Sequence, residues 1–269
     1  MQSNRIRIFS ELVSLEAWHY AFTARRTSVG LHADVTFSTA RLGSEDDCPV
    51  RFKMRLKQAV LTVVVPETEA LIVDRASVAR FDENISGIRK VRSSHKSKGG
   101  VAGGVSLKAG ATPTASLSLE ATKSAEVLDE TTITAKFDAI RVNHSLDSDG
   151  NNRWSFRPGM EATLTGKPWE ASETALMKLR DAEAPGKRKL EASVRLELTC
   201  FREDLHIFDI EPKDKSRIPF ANLNSEKRKL AAEAFIRTRI QQEGLPVPVM
   251  TEDYAIITLA RANSTEGRW

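Results

Sequence analysis

The residue types that most often bind metal ions or transfer protons are sparse in this chain. The sequence contains five histidines and two cysteines, His19, His32, His95, His144, His206, Cys48 and Cys200. The histidines lack ligand-like spacing, and we expect each to be a surface or partly buried strand residue. The cysteines lie far apart in patterned sequence, which argues against a zinc site or a disulfide framework. The sequence therefore predicts a non-enzymatic protein with no catalytic residues, no metal site and no cofactor.

One polar loop has part of the pattern of a calcium-binding loop. In the segment DSDGNN, Asp147, Asp149 and Asn151 alternate as oxygen ligands would. A calcium loop also needs glycine at its sixth position and a bidentate glutamate at its twelfth. Those positions hold Asn152 and Pro158. The loop is therefore predicted to be an ordinary hairpin turn built on Asp-Gly.

A glycine-rich segment, GGVAGG at residues 99–104, could suggest a phosphate-binding loop. No Gly-Lys-Ser/Thr follows, and the next residues alternate with a period of two instead of opening a helix. We therefore discount phosphate binding there. A Ser-His-Asp set assembled in space would leave no local trace, so an enzyme remains the third and weakest functional hypothesis.

Basic residues alternate with apolar ones in one segment and cluster in another. The candidate basic contacts are Arg51, Lys53, Arg55 and Lys57, and then Arg89, Lys90 and Arg92. In residues 51–57 such cations could bind phosphate, lipid headgroups or nucleic acid, but a solvated strand face that protects a sheet edge is the favoured interpretation. Arg89, Lys90 and Arg92 precede residues 99–122, where cations could meet anionic headgroups. The net charge of +4, from 40 basic and 36 acidic residues, is too balanced to predict nucleic-acid binding.

The most unusual segment is at about residues 99–122. Between 101 and 121 no odd-numbered residue is polar, whereas most even-numbered residues are polar. This alternation predicts a β-hairpin with arms of about ten residues and a turn at 111–114. One face would carry the candidate lipid-facing residues Val105, Leu107, Leu117 and Leu119. The other would carry the candidate polar residues Ser106, Lys108, Ser118 and Glu120.

In composition, this segment resembles the membrane-inserting hairpins of β-pore-forming proteins, which also favour Gly, Ala, Ser and Thr. The resemblance implies a soluble protein that oligomerises and inserts the hairpin, since only closed barrels satisfy strand backbones in lipid. Two other interpretations stay open. The segment could be a flexible surface arm, or an arm that packs on a neighbouring subunit.

The elements that would hold this segment are mostly strands. Alternating patterns predict strands at residues 31–40, 50–65, 130–143, 154–164 and 188–201, and a shorter element at 70–81. Residues 170–184 are predicted as a short helix or a mobile connection. A helix at about 225–243 has Asn224 or Ser225 as its cap, an apolar face of Leu230, Ala231, Ala234 and Phe235, and Gly244 after its end.

We therefore expect a mainly β protein, all-β or α+β, with an antiparallel sheet or sandwich and one long C-terminal helix. A single β-rich domain would span 1–269, with the amphipathic hairpin or arm at about 99–122 and a helix-containing segment at 213–269. The first residues contain no uninterrupted apolar stretch, so we expect no signal peptide, and the sequence has no apolar run of ~18 residues. It predicts a cytoplasmic protein that associates with membranes on activation.

Two functional hypotheses lead. The first is an oligomeric, pore-forming effector that acts on an anionic membrane. By analogy, it would be a regulated defence effector that attacks the membrane of its own cell. The alternative is a β-sandwich interaction or assembly module with a protein partner and no membrane activity.

Overall fold

The computed structural model describes residues 5–45, 48–81, 86–96, 128–138, 140–159, 161–183, 192–213, 224–246 and 252–266. Its strands, in chain order, are β1 (Arg5–Arg7), β2 (Val13–His19), β3 (Ser28–Phe37), β4 (Ala40–Leu42), β5 (Val50–Leu56), β6 (Ala59–Val64), β7 (Leu71–Asp74), β8 (Ser86–Lys96), β9 (Leu128–Asp138), β10 (Ile140–Leu146), β11 (Asn152–Pro158), β12 (Met177–Asp181), β13 (Arg195–Phe201), β14 (Leu205–Pro212), β15 (Ile256–Asn263) and β16 (Thr265–Glu266). Helix α1 is Ser225–Gln242. The predicted fold class, mainly β with one long C-terminal helix, is confirmed.

The chain divides into two compact units, one formed by Met1–Gly87 with Phe137–Trp269 and the other by Ile88–Lys136. The first unit contains three sheets. Their strand orders are β1-β15-β13-β6-β11-β10, β16-β2-β3-β12-β7 and β14-β5-β4. Neighbouring strands in these sheets are antiparallel, except β16 and β2, which pair in parallel.

Alternation along the strands creates the core of the first unit. In β3 every second residue from Val29 to Phe37 is buried. Trp154 is fully buried in β11, and its indole Nε1 donates to the carbonyl oxygen of Ala79 at 2.9 Å. Phe156 meets Phe37 edge to face with 5.3 Å between ring centroids. The inner faces of all three sheets thus join one apolar cluster.

The segment predicted as one strand over 50–65 is two strands in different sheets. β5 pairs with β14 and β4, whereas β6 lies between β13 and β11. The chain passes between sheets at Lys57 and Gln58, where the backbone N–H of Lys57 donates to the carbonyl oxygen of Asp204 at 2.8 Å. Both halves alternate between buried and less buried residues, so local periodicity gives no sign of the break.

The prediction of a helix or mobile connection at 170–184 is wrong over its second half. Residues Met177–Asp181 form β12, which pairs with β3 on one side and β7 on the other. Leu176, Met177 and Leu179 are fully buried there. Burial between two partner strands overrides the weak helical preference of the segment.

Helix α1 begins and ends with the predicted chemistry. The Asn224 side chain accepts a hydrogen bond from the backbone N–H of Lys227 at 2.9 Å. At the other end Gly244 has φ of +69°, its N–H donates to Gln241, and the next N–H donates to Ile240. This pair of bonds is a Schellman motif, and it needs the left-handed conformation that glycine adopts most readily.

The predicted apolar face of α1 is rotated from the real one. The buried residues are Ala232, Phe235, Ile236 and Ile240, whereas Leu230 is 63% exposed and Ala234 is exposed. The helix packs on β5 and β14, and Phe235 meets Phe52 edge to face at 6.0 Å. The side of the helix that faces β5 and β14 is therefore the buried side.

Within the described residues, no helix is long and apolar enough to cross a membrane.

Candidate functional site

The predicted membrane-contacting residues lie outside the described part of the chain. They are Val105, Ser106, Leu107, Lys108, Leu117, Ser118, Leu119 and Glu120. The strands on either side of them are described. β8 and β9 are each 11 residues long and pair with one another in a two-stranded sheet. A paired stem therefore leads into and out of residues 97–127.

The stem differs in charge between its two strands. β8 carries the predicted basic contacts Arg89, Lys90 and Arg92, and its sequence SGIRKVRSSHK contains no acidic residue. β9 reads LDETTITAKFD and contains three acidic residues and one lysine. Such polar sequences suit water rather than the interior of a bilayer.

The basic residues of β5 lie on the outer face of the three-stranded sheet, and two of them, Lys53 and Arg55, interact with neighbouring side chains. Lys53 Nζ lies 2.8 Å from Asp209 Oδ2, in an ion pair. Arg55 Nε donates to Thr39 Oγ1 at 2.8 Å, and its guanidinium lies 5.3 Å from the ring centroid of Phe208. These contacts hold both side chains against the sheet.

The other two basic residues of this segment, Arg51 and Lys57, have different surroundings. Arg51 is exposed and stands opposite Glu211 of β14 in the strand register. Lys57 follows the end of β5 and lines a cavity of about 280 Å³ beside α1. The structure therefore brings Arg51, Lys53 and Arg55 onto one face, and Lys57 belongs to a second site.

The second site centres on Arg202, in a 3₁₀ turn between β13 and β14. Its Nη2 lies 2.5 Å from Oε1 of Glu233 on α1, and its Nη1 lies 3.3 Å from Oδ1 of Asp253. The backbone N–H of Arg202 donates to the carbonyl oxygen of Ala255 at 2.9 Å. This arrangement fastens the helix and the loop before β15 to the turn.

A third site, a cavity of about 170 Å³, lies over the end of the six-stranded sheet. We call it the arginine cavity. Its polar lining comes from β11, β13 and the turn after β13: Arg153, Ser155, Arg157, Thr199 and Asp204, with Gln58 at the passage between sheets. Arg157 Nε donates to Gln58 Oε1 at 3.1 Å. Among the described residues no carboxylate lies within ion-pair distance of Arg153 or Arg157.

A further arginine stands next to Arg157 on the neighbouring strand β10. In the antiparallel register of β10 and β11, Arg141 stands directly opposite Arg157, and both are exposed. Like charges at opposite positions of neighbouring strands repel one another. An anion bound between these residues would relieve that repulsion.

Sequence reasoning missed the arginine cavity, although part of its signal was present. Once the Asp-Gly turn fixes the hairpin register, Arg141 pairs with Arg157, and alternation places Arg153 and Ser155 on the same face. Thr199 and Gln58 belong to strands or turns distant in sequence, so no local pattern predicts that they join the site.

Burial changes the acid–base properties of two groups at the floor of this cavity. Asp204 is 5% exposed, and desolvation raises the pKa of its carboxyl group despite a hydrogen bond from the backbone N–H of Phe201 and the charges of Lys57 and Arg157. Burial, with a smaller contribution from Asp204, also raises the pKa of the Cys200 thiol well above its usual value. A thiol held in this state is a poor nucleophile.

Two histidines of the first unit, His19 and His32, make contacts typical of residues that stabilise the fold. His19, expected at the surface or partly buried, is fully buried, and its ring nitrogens lie 2.9 and 3.0 Å from the carbonyl oxygens of Tyr20 and Ala192. His32 stacks on Trp18 with 5.6 Å between ring centroids. Within the described ranges, no group of three or more His, Cys, Asp or Glu side chains is arranged to hold a metal ion.

Comparison with known proteins adds little to this geometry. No family model and no curated protein matches the chain. Among solved structures, the chain is similar to the Clostridium perfringens NetB toxin in its membrane-inserted form, with a TM-score of 0.23 and 9% identity over 70% of this chain and 84% of the toxin chain. A TM-score this low does not establish a shared fold, and neither activity nor assembly can be transferred from it.

Proposed function

We propose that this protein acts on membranes by inserting residues 99–122 as an amphipathic β-hairpin. The observation that carries the proposal is the pairing of β8 with β9, because these two strands bracket the segment in which apolar and polar residues alternate. A hairpin that continues from a paired stem needs no new strand pairing at its base. Each predicted arm has the ~9–11 residues that a tilted membrane-spanning strand requires.

The charged residues in the stem sequence indicate which part of the hairpin would lie in water and which part would span lipid. The sequence of β8 has the adjacent cations Arg89 and Lys90, and such a sequence suits the aqueous or headgroup region rather than lipid tails. The lipid-spanning part would then begin after Lys98. There Val105 and Leu107 in one arm, with Leu117 and Leu119 in the other, would face lipid.

Insertion of this kind requires several copies of the chain. A lone two-stranded hairpin leaves unpaired N–H and C=O groups along both edges, and each unsatisfied group in hydrocarbon costs several kcal/mol (about 2–7). A closed barrel of hairpins from several subunits pairs every edge. We therefore propose a homo-oligomer as the active form.

Dye release from vesicles tests this function. Wild-type protein should release dye from phospholipid vesicles, and Leu107→Arg or Leu117→Arg should abolish release, because a charge on the lipid face near the midplane costs about 2–4 kcal/mol per subunit. Ser106→Arg and Ser118→Arg are the matched controls, since they place the same charge on the predicted water-facing side and should retain release.

Folding of each variant is checked by its thermal unfolding, which should match that of wild type. If wild-type protein releases no dye, or if Leu107→Arg and Ser106→Arg behave alike, the hairpin proposal is wrong. Size-exclusion chromatography with vesicle-extracted protein measures the oligomer, and a monomer in the dye-releasing state would contradict the closed barrel.

A further inference from the structure

Exposed apolar side chains lie at the rim of the arginine cavity. Phe201, Tyr254 and Ile256 are 38%, 76% and 63% exposed. Phe201 stands opposite Ile256 in the β13–β15 register, and both line the cavity. The ring of Tyr254 meets that of Phe201 edge to face with 6.2 Å between centroids. Three large apolar side chains thus stand in water beside a cationic cavity.

This apolar group is held in place by the same turns that shape the cavity. The backbone N–H of Arg202 donates to Ala255, and that of Glu203 donates to Asp253 at 3.1 Å. The loop that carries Tyr254 is therefore hydrogen-bonded to the turn that follows Phe201. Aromatic residues with one apolar and one polar end favour the interface between lipid tails and headgroups.

The polar part of the cavity suits a phosphate group. Among the described residues, no carboxylate lies within ion-pair distance of Arg153 or Arg157, although their charges act on Asp147 and Asp204. The planar guanidinium binds phosphate through paired, charge-assisted hydrogen bonds. Ser155 lies between them on β11 and also lines the cavity, where its hydroxyl can donate a hydrogen bond. Asp204 is the opposing charge, but it is buried at the floor of the cavity.

The size of the cavity limits the ligand to a small group. At about 170 Å³ it is smaller than the ~300–1,000 Å³ of sites that enclose a whole small molecule. A headgroup phosphate can enter while the rest of the lipid stays in the bilayer, beside the exposed apolar side chains.

We propose that the arginine cavity binds the phosphate of a phospholipid headgroup while Phe201, Tyr254 and Ile256 enter the interfacial layer of the same membrane. This inference rests on the proposed membrane function and names the lipid group that the protein recognises. The acidic residues Glu203 and Asp253 line the neighbouring cavity beside α1. Because they weaken any general attraction of this surface to anionic lipids, recognition is of the phosphate group rather than of net negative charge.

Vesicle flotation with the full-length protein tests this site. The lipids are phosphatidylcholine, which carries a phosphate, and galactosyl diacylglycerol, which is neutral and carries none. Wild-type protein should bind the first at least about tenfold more tightly. The double variant Arg153→Gln, Arg157→Gln should lose about tenfold or more on phosphatidylcholine and little on the galactolipid, because it removes charge-assisted bonds to phosphate.

Matched controls separate the site from general effects. Arg195→Gln removes a charge from another strand of the same sheet, where Arg195 Nε lies 3.4 Å from Glu197 Oε1, and should leave binding unchanged. Tyr254→Ser with Ile256→Ser should weaken binding to both lipids. Leu146→Ser, at a side chain that is 59% exposed on β10, is the control for that pair and should not.

Three results would overturn the site. One is equal binding of the arginine double variant and wild type to phosphatidylcholine. Another is equal binding of wild type to the two lipids. The third is tight binding of inorganic phosphate in calorimetry without vesicle binding, which would assign the cavity to a soluble phosphate compound. Dye release separates the two proposals. Binding without dye release refutes pore formation and keeps the headgroup site. Dye release that survives the loss of both arginines refutes the headgroup site and keeps pore formation.

Discussion

Arg202 Nη2 and Glu233 Oε1 lie 2.5 Å apart, and this ion pair joins helix α1 to the turn that closes the arginine cavity. Both side chains are mostly shielded from water, with 21% and 12% of their surface exposed. Asp253 is the second partner of Arg202, at 3.3 Å, but its side chain is 65% exposed. One guanidinium group thus fastens both α1 and the loop before β15 to this turn.

Removing the charge of Glu233 should weaken this attachment. Glu233→Gln leaves Arg202 with only the longer, exposed partner, so we expect the free energy of unfolding to fall by about 1–2 kcal/mol, between the values typical of exposed and buried pairs. Urea denaturation measures the change. Glu243→Gln, at the exposed end of the same helix, is the control and should stay within ~0.5 kcal/mol of wild type. Equal losses in the two variants would contradict the role of the pair.

Asp204 should make the protein less stable as pH rises. Burial raises the pKa of this carboxyl group, so the folded state binds the proton more tightly than the unfolded state does. Its contribution to stability is therefore lost between the unfolded pKa of about 3.9 and the higher folded pKa. Asp204→Asn keeps an acceptor for the Phe201 N–H and removes the titration. Its stability relative to wild type should rise with pH across that window in a urea series, and a constant difference would contradict the prediction.

Asp147 should show the opposite dependence on pH. Desolvation raises its pKa, but hydrogen bonds from the Asn151 side chain and from the backbone N–H groups of Asn151 and Asp149, with the charge of Arg153, outweigh it and lower the pKa. The stabilisation is present above the unfolded pKa and is lost as pH falls through the folded pKa. Asp147→Asn should therefore be less stable than wild type at neutral pH and approach it in acid. Because this turn is solvated, the change should be small.

Alanine substitutions at two glycines with positive φ distinguish the cost of backbone strain from the cost of steric overlap. Gly43 has φ of +84°, and an added Cβ would lie 2.0 Å from the carbonyl oxygen of Val50. Gly150 has φ of +80°, but nothing lies within 4 Å of its added Cβ. Gly150→Ala should cost about 1–2 kcal/mol from strain alone. Gly43→Ala should cost about 3 kcal/mol or more, because the ends of β4 and β5 must also separate. Thermal and urea unfolding measure both, and similar losses would contradict the overlap.

Elements that are stabilised by residues close in sequence could be predicted from the sequence. Alternation located strands such as β3, and Asp-Gly located the turn that joins β10 and β11. The strand predicted over 130–143 is divided between β9 and β10, which belong to different sheets. Cap chemistry located both ends of α1 at Asn224 and Gly244. In each case the interactions that stabilise the element lie within a few residues, so sequence periodicity and turn chemistry contain the required information.

Other features depended on contacts between distant segments. The break at Lys57 and Gln58, the strand at Met177–Asp181 and the buried side of α1 were missed or misplaced because each depends on which strands lie alongside. The arginine cavity is the clearest case. Its residues alternate within β11 as the sequence alone indicates, but Gln58, Thr199 and Asp204 reach it only through the pairing of β6 with β11 and β13.

The sequence by itself determined the β-rich class, the C-terminal helix and the alternating segment at residues 99–122, because all three follow from the spacing of polar and apolar side chains. Tertiary structure alone decided that the strands beside that segment pair with each other. It also decided that Arg153 and Arg157 share a cavity with exposed apolar side chains. Both results require long-range strand pairing, which aligns residues far apart in the chain and which local periodicity does not encode.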